Sequence, residues 1–203
     1  MKEKMFKLPP PNKKGLISFE EALVKRKTVR SFKSDPLKLE ELSQLLWSTN
    51  GLVDPYGRRV VPSAGALYPM EIYVTVGDGG VVGLEKGVYW YFPEEHALKP
   101  IKSEDVRREI AEASLWQTWM AQAPIIVVIA AEYARTTSKY RERGVRYVLM
   151  EIGHSAQNLF LQAVCLGLGA GIVGAFYDEE VKRILSFPPN HDPLLLMPVG
   201  HPR

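Results

Sequence analysis

Apolar residues recur along this chain first with a helical period and then in short runs of strand length. Ser18-Phe19-Glu20-Glu21 is a capping-box pattern, and Phe19, Ala22 and Leu23 continue it as a short helix that closes on Lys25-Arg26-Lys27. From Pro36 to Thr49, Leu39, Leu42, Leu45 and Leu46 repeat at three- and four-residue spacing, which predicts a second helix stopped at Asn50-Gly51. Beyond a polar loop at Asp54-Pro55-Tyr56-Gly57, the β-branched and aromatic segments Glu71 to Val76 and Gly87 to Phe92 predict paired antiparallel strands. Ser103 to Gln122 has helical periodicity with Glu104 and Asp105 in its first turn, where the helix dipole favours them. The unbroken apolar run from Pro124 to Ala130 predicts a central strand covered on both faces. Tyr147 to Leu166 is apolar nearly all round and predicts a long buried helix. A short strand at Ile172 to Phe176, a helix capped by Asp178 and running through Leu185, and a buried strand from Leu194 to Val199 complete an α+β sheet with helices on its faces.

Composition narrows the class of molecule. With 203 residues, 46% of them hydrophobic and 24% charged, the chain has the make-up of one globular domain and not of a disordered, collagenous or coiled-coil protein. Residues 1–17, rich in proline and lysine, predict an extended arm that either stays in solvent or lies across a partner subunit, ahead of a single domain at 18–203. Lys and Arg number 26 against 23 Asp and Glu, a net charge of +3 that suits an anionic small molecule better than a nucleic acid. The cations are also dispersed among carboxylates and form no stripe. Cys165 is the single cysteine, which excludes a disulfide or a cysteine-built metal centre within one chain and points to the cytoplasm. No apolar stretch is long enough for a membrane span, and the start MKEKMFKLPPPNKKG has no apolar signal core.

Several motifs bear on chemistry. Gly169-Ala170-Gly171-Ile172-Val173-Gly174 has the glycine spacing of a dinucleotide-binding turn, but a long helix precedes it and a strand follows, the reverse of the order that turn needs. These glycines read instead as the end of the buried helix and a bare strand edge open to a flat ring. Glu151-Ile152-Gly153-His154 is half of a di-iron signature whose second half is missing, which leaves a buried hydrogen-bonded Glu and His pair as the expectation. His96, His191 and His201 have no metal spacing, and neither a Gly-x-Ser-x-Gly elbow nor a Walker loop occurs. Arg26-Lys27-Thr28-Val29-Arg30-Ser31 offers three cations and two hydroxyls that suit a phosphate monoester, or a helix end charged for its dipole alone; Arg203, after the last strand, is a second cation source. Pro62 to Pro69 is a loop of small residues stiffened by prolines, either a tight turn or a place where backbone amides meet a ligand. Lys139-Tyr140-Arg141 reads on spacing as the solvated first turn of the long helix, and Trp47, Trp90, Trp116 and Trp119 read as core more than ligand wall.

Taken in order, Leu46-Trp47 with Gly51, Pro62-Ser63-Ala64-Gly65-Ala66-Leu67-Tyr68-Pro69, Gly87-Val88-Tyr89, Lys139-Tyr140 and Glu151 to Leu159 make residues 18–203 resemble the nitroreductase-like flavoproteins, in particular the SagB-type dehydrogenase branch. The resemblance implies a mostly antiparallel sheet flanked by helices and a homodimer holding FMN between its subunits. It implies FMN contacts from Arg26, Lys27, Thr28 and Arg30 to the phosphate and ribityl chain. Pro62, Ser63, Ala64 and Gly65 would reach the flavin of the other subunit, Gly174 and Ala175 would face flavin N5, and Arg203 would lie near the phosphate. Ala66 and Tyr68 stand where many nitroreductases have Asn and Gln, so the flavin pyrimidine contacts are expected from elsewhere. The implied activity is hydride transfer from NAD(P)H to a nitro, quinone or related small-molecule acceptor. The alternatives are azoline oxidation, with Lys139 and Tyr140 removing a proton, and a flavin-sequestering module without turnover.

Overall fold

The apolar run at 124–130 forms the strand β5 (Ile125–Ala131), buried at every position in a computed structural model that describes residues 5–203. Its alternation explains the double burial. Ile125, Val127 and Ile129 face Leu42, Leu45 and Leu159, whereas Ile126, Val128 and Ala130 face Ile110, Val181 and Leu185. The first layer is built by α2 (Leu39–Asn50) and α5 (Glu142–Cys165), with α1 (Phe19–Lys25) packed on α5, and the second by α3 (Arg107–Ala113) and α6 (Asp178–Leu185). β2 (Met70–Val76), equally buried, pairs antiparallel with β5 from Met70 opposite Ala131 to Val76 opposite Ile125. With β1 (Phe6–Lys7), β3 (Gly87–Phe92), β4 (Ala97–Lys102), β6 (Gly169–Ala170) and β7 (Asp192–Gly200), these strands form one antiparallel sheet in the order β1-β4-β3-β2-β5-β7-β6. The α+β expectation holds. Among the described residues no helix is long and apolar enough to cross a membrane.

The differences from expectation lie where local pattern is weakest. β4 went unpredicted because its lysines and proline read as loop, yet Ala97 and Leu98 are fully buried against β3. Ser103 to Gln122 is not one helix. It is α3 followed by a short 3-10 helix at Thr118–Gln122, broken where Leu115 and Trp116 adopt left-handed backbone, φ 55 and 59°. An additional helix, α4 (Tyr133–Tyr140), precedes α5 and is separated from it by Arg141 at φ 51°. α5 starts earlier than Tyr147 and is not buried all round, since Leu149 and Met150 are half exposed. The segment Ile172 to Phe176 is no strand, because only Val173 bridges Leu196, and Gly169–Ala170 pairs with β7 in its place. Asp178 is the first residue of α6 rather than its cap. Phe6 and Lys7 pair with β4 and Leu8 joins the core, so this part of the arm lies against its own chain.

Candidate functional site

One end of the site is a cationic turn woven between β6 and the C-terminus. α1 ends at Lys25, and extended backbone at Arg26 carries the chain away from the helix axis. Thr28 then bridges Ala170 in parallel, and the Val29 amide donates to the Ala170 carbonyl at 2.8 Å. On the other side the Lys33 amide donates to the His201 carbonyl at 2.9 Å and the Arg203 amide to the Ser31 carbonyl at 3.2 Å. The two cation sources singled out in the sequence are therefore neighbours. Gly171 permits this closeness: a Cβ there would stand 2.6 Å from the Trp119 ring and 2.9 Å from the Val29 carbonyl oxygen.

Two of the cations at this end are held by rings. The Arg26 guanidinium lies 5.5 Å from the centre of the Phe160 ring, and that of Arg30 5.9 Å from Trp119. Among the described residues, Arg26, Lys27, Arg30 and Arg203 join no ion pair, whereas Lys25, just before Arg26, is bonded to Glu21 at 2.6 Å. Cation–π contacts orient a guanidinium without neutralising it, which leaves the charge for an anion. Gly174 and Ala175 are exposed beside this turn, and the Gln117 amide donates to the Ala175 carbonyl at 3.4 Å. A Cβ at Gly174 would meet only Leu195, at 3.7 Å, so this backbone edge is open.

The other end is the small-residue loop, held more firmly than a simple turn. Gly65, Ala66 and Tyr68 all take left-handed backbone, at φ 65, 55 and 46°, which costs a non-glycine residue about 1 kcal/mol or more. Three contacts converge on Tyr68 to hold it. Its amide donates to Ser63 Oγ at 2.9 Å, its carbonyl accepts from Arg135 Nη1 at 3.0 Å, and the Arg59 guanidinium lies 4.8 Å over its ring. Arg135 is fixed in turn by Glu132 at 2.6 Å and by buried Glu71, which also accepts from Trp90 Nε1 at 2.8 Å. Glu71, Glu132 and His191 are close enough to suggest a metal cluster, but their carboxylate oxygens are already engaged by Arg135 and Trp90.

Lys139 and Tyr140 belong to this end. They sit in the last turn of α4, not the first turn of α5, and they press on the loop: a Cβ at Gly65 would be 2.8 Å from the Tyr140 hydroxyl and 3.1 Å from Lys139 Nζ. Tyr140 also meets Tyr147 edge to face at 5.1 Å. Gly65→Ala should therefore push both side chains off the loop while costing only about 1 kcal/mol of stability. Urea unfolding of the variant checks this, and a loss of several kcal/mol would show a general folding defect instead.

The expected Glu151 and His154 pair does not form: Glu151, 3% exposed, lies on the side of α5 turned to the core, and His154 is exposed. Glu151 is instead buried on the core side of α5, with Ser63 and Arg59 near enough to favour its charged form. Burial pushes its carboxyl up to about 7, against the opposing pull of Ser63 and the Arg59 charge. Its Oε1 has no hydrogen-bond partner among the described residues. Sequence reasoning missed this role, although a lone acid between Val148, Ile152 and Ser155 on the buried stripe of α5 was the available signal. His96 and His191 are structural, bonded to Tyr91 and Tyr73 at 2.8 Å each, and burial holds both below the usual histidine range. Trp47 and Trp90 are half-buried, Trp119 covers Gly171, and Trp116 is 71% exposed.

Phe160 under Arg26 and Glu151 under Ser63 are nine residues apart on α5, or about 13 Å along its axis at 1.5 Å per residue. Each end is thus complete in its own contacts. The sequence profile of the nitroreductase family matches residues 23–201, nearly the whole of this framework. The chain belongs to the nitroreductase family. It is 53% identical over 184 residues to a Methanocaldococcus jannaschii protein that carries the name nitroreductase, covering 91% of each chain. It is 29% identical over 156 residues to the microcin B17-processing protein McbC of Escherichia coli, where the match takes in 74% of this chain and 57% of McbC. Among solved structures, a Ralstonia eutropha protein of the nitroreductase class superposes with a TM-score of 0.84 at 25% identity, over 99% of this chain and 90% of that one. The E. coli microcin synthetase McbBCD complex shares the fold, with a TM-score of 0.76 at 23% identity, over 100% of this chain and 79% of that one.

Proposed function

We propose that this nitroreductase-family oxidoreductase is an FMN-dependent homodimer that uses NAD(P)H to reduce a nitro, quinone or related small molecule. The observation that carries the reading is the cluster of Arg26, Lys27, Arg30 and Arg203, without carboxylate partners among the described residues, beside a bare Gly174–Ala175 backbone. Those residues fit a phosphate monoester joined to a flat ring. Arg26, Lys27, Thr28 and Arg30 would hold the phosphate and ribityl chain, with Arg203 close by, and the Gly174 and Ala175 amides would face the ring edge. When bound, FMN supplies hydride acceptance and donation that no side chain here can perform. The protein positions, excludes water and supplies charge. Half-exposed Leu149 and Met150 on α5, with exposed Leu23 and Val24 on α1, give apolar surface for a subunit contact across which the 62–65 loop would reach the partner's flavin. The unpaired thiol of Cys165 fits a cytoplasmic setting.

A second reading has its own observation. Lys139 Nζ and the Tyr140 hydroxyl both converge on Gly65, and McbC is a peptide-processing protein by name. In an azoline-type dehydrogenase those two groups would remove the substrate proton. Lys139→Ala and Tyr140→Phe separate the readings. Both variants should keep FMN; a drop in azoline oxidation of about 100-fold or more, with NAD(P)H-driven reduction retained, favours the dehydrogenase. Full activity in both assays removes the pair from the mechanism, and retained FMN that no reductant or substrate bleaches would mark a sequestering module.

A further inference from the structure

No residue from Ser63 to Tyr68 is buried, yet Ala66 and Tyr68 hold left-handed backbone there. Core packing does not impose this shape, and polar anchors do. The Arg135 guanidinium joins three parts of the chain at once: Nε donates to Glu132, just before α4, at 2.6 Å, Nη1 donates to the Tyr68 carbonyl at 3.0 Å, and Nη2 donates to buried Glu71 on β2. A planar fork of donors suits this bridge in a way a point charge does not. Both of its supports are themselves fixed. Glu71 also accepts from Trp90 Nε1 at 2.8 Å, and the Trp90 ring stacks on Tyr73 at 5.5 Å. α4 is seated closely on α5, since a Cβ at Gly144 would stand 2.9 Å from the Thr137 Cα, and the Glu132 amide donates to the Pro69 carbonyl at 2.8 Å. Arg135 and Lys139 are four residues apart on one face of α4, so the helix that grips the base of the loop through Arg135 also brings Lys139 to its tip at Gly65.

We propose that Arg135 is a positioning residue of the flavin site, holding the 63–68 loop in the shape that meets the flavin ring of the partner subunit and keeping Lys139 at the tip of that loop. The proposal rests on the reading above, in which the 62–65 loop reaches that flavin, and adds what sets the shape of the loop. Strain in an exposed turn persists only where its surroundings over-determine it, and such turns gather at ligand contacts. The Arg135 bridge supplies that over-determination from two rigid elements, β2 and α4. Among the described residues it shares no hydrogen bond or ion pair with Arg26, Lys27, Arg30 or Arg203. Loss of Arg135 therefore acts on the ring end of the flavin and leaves the phosphate end as it was.

The test uses the full chain and two variants. Arg135→Lys keeps the charge that Glu71 and Glu132 require but not the fork, and Arg135→Gln removes both. In the flavin-free protein, hydrogen exchange at the Tyr68 amide should quicken by about 10-fold in Arg135→Lys and by more in Arg135→Gln, while the β2 amides paired with β5 keep their rates. Arg135→Gln should bind FMN and riboflavin each about 10-fold more weakly, so that the preference for FMN survives, and Arg135→Lys should recover part of that loss. A Tyr68 amide that exchanges at the parent rate in both variants overturns the proposal, as does a loosened loop that binds both flavins as tightly as the parent. A lower preference for FMN over riboflavin also overturns it, because the damage would then extend to the phosphate turn, as a general folding defect does. A parent chain that takes up neither flavin would sink the flavin reading itself, and hydrogen exchange in the flavin-free protein tells that failure apart from a loop that Arg135 does not hold.

Discussion

Glu151→Gln should stabilise the protein by about 3 kcal/mol near pH 8 and by almost nothing near pH 4. The sign follows from the direction of the shift. Burial raises the carboxyl from 4.5 to about 7, so the folded state binds the proton more tightly than the unfolded chain does. The stabilisation is fully present below 4.5 and is lost as the pH rises through about 7. Above that, the native state carries a buried carboxylate that Ser63 and Arg59 only partly compensate. Glutamine keeps the shape of the protonated acid without the charge. Urea unfolding of both proteins at a series of pH values measures this directly. A difference between them that stays constant with pH would mean that Glu151 is no more protonated in the folded chain than in the unfolded one.

Replacing Arg26 and Arg30 together with alanine should weaken FMN binding by about 100-fold or more, with the fold intact. Two charge-assisted hydrogen bonds contribute about 1.5–3 kcal/mol each, and the low end applies because Arg30 is exposed. Among the described residues neither guanidinium has a carboxylate partner, so their removal leaves no uncompensated acid there. Riboflavin makes the measurement specific, since it lacks the phosphate. The parent chain should prefer FMN to riboflavin by a factor similar to the loss in the double variant, and the variant should bind both alike. Unchanged preference for FMN would move the phosphate away from this turn.

The sheet was legible from the sequence wherever a strand is buried on both faces. Uninterrupted apolar runs at 124–130 and 194–199 form β5 and most of β7, which pair side by side inside the sheet. β4 was not legible, because its pairing with β3 is decided by Ala97 and Leu98 while Lys99 and Pro100 speak for a loop. The break inside 103–122 was equally hidden: Leu115 and Trp116 are ordinary helix residues whose left-handed backbone comes from tertiary contacts, including the Tyr177 amide bound to the Ala113 carbonyl at 2.9 Å. The candidate site divides in the same way. Three cations and two hydroxyls within six residues are a local pattern, so Arg26, Lys27 and Arg30 could be named from the sequence. That Arg203 lies beside them, and that Lys139 and Tyr140 close on Gly65, are long-range facts that residue spacing does not carry. Glu151 was misread for a related reason. A Glu-x-x-His spacing places the two side chains on adjacent turns, but burial of one and exposure of the other depends on which face of α5 meets the core.

The most direct test of the flavin assignment is the absorption spectrum of the purified protein with FMN, recorded before and after anaerobic addition of NADH and then NADPH. Flavin bands that remain with the protein through gel filtration and bleach with one of the nucleotides are the predicted result. A protein that stays colourless and takes up no added FMN would contradict the account and every residue role built on it.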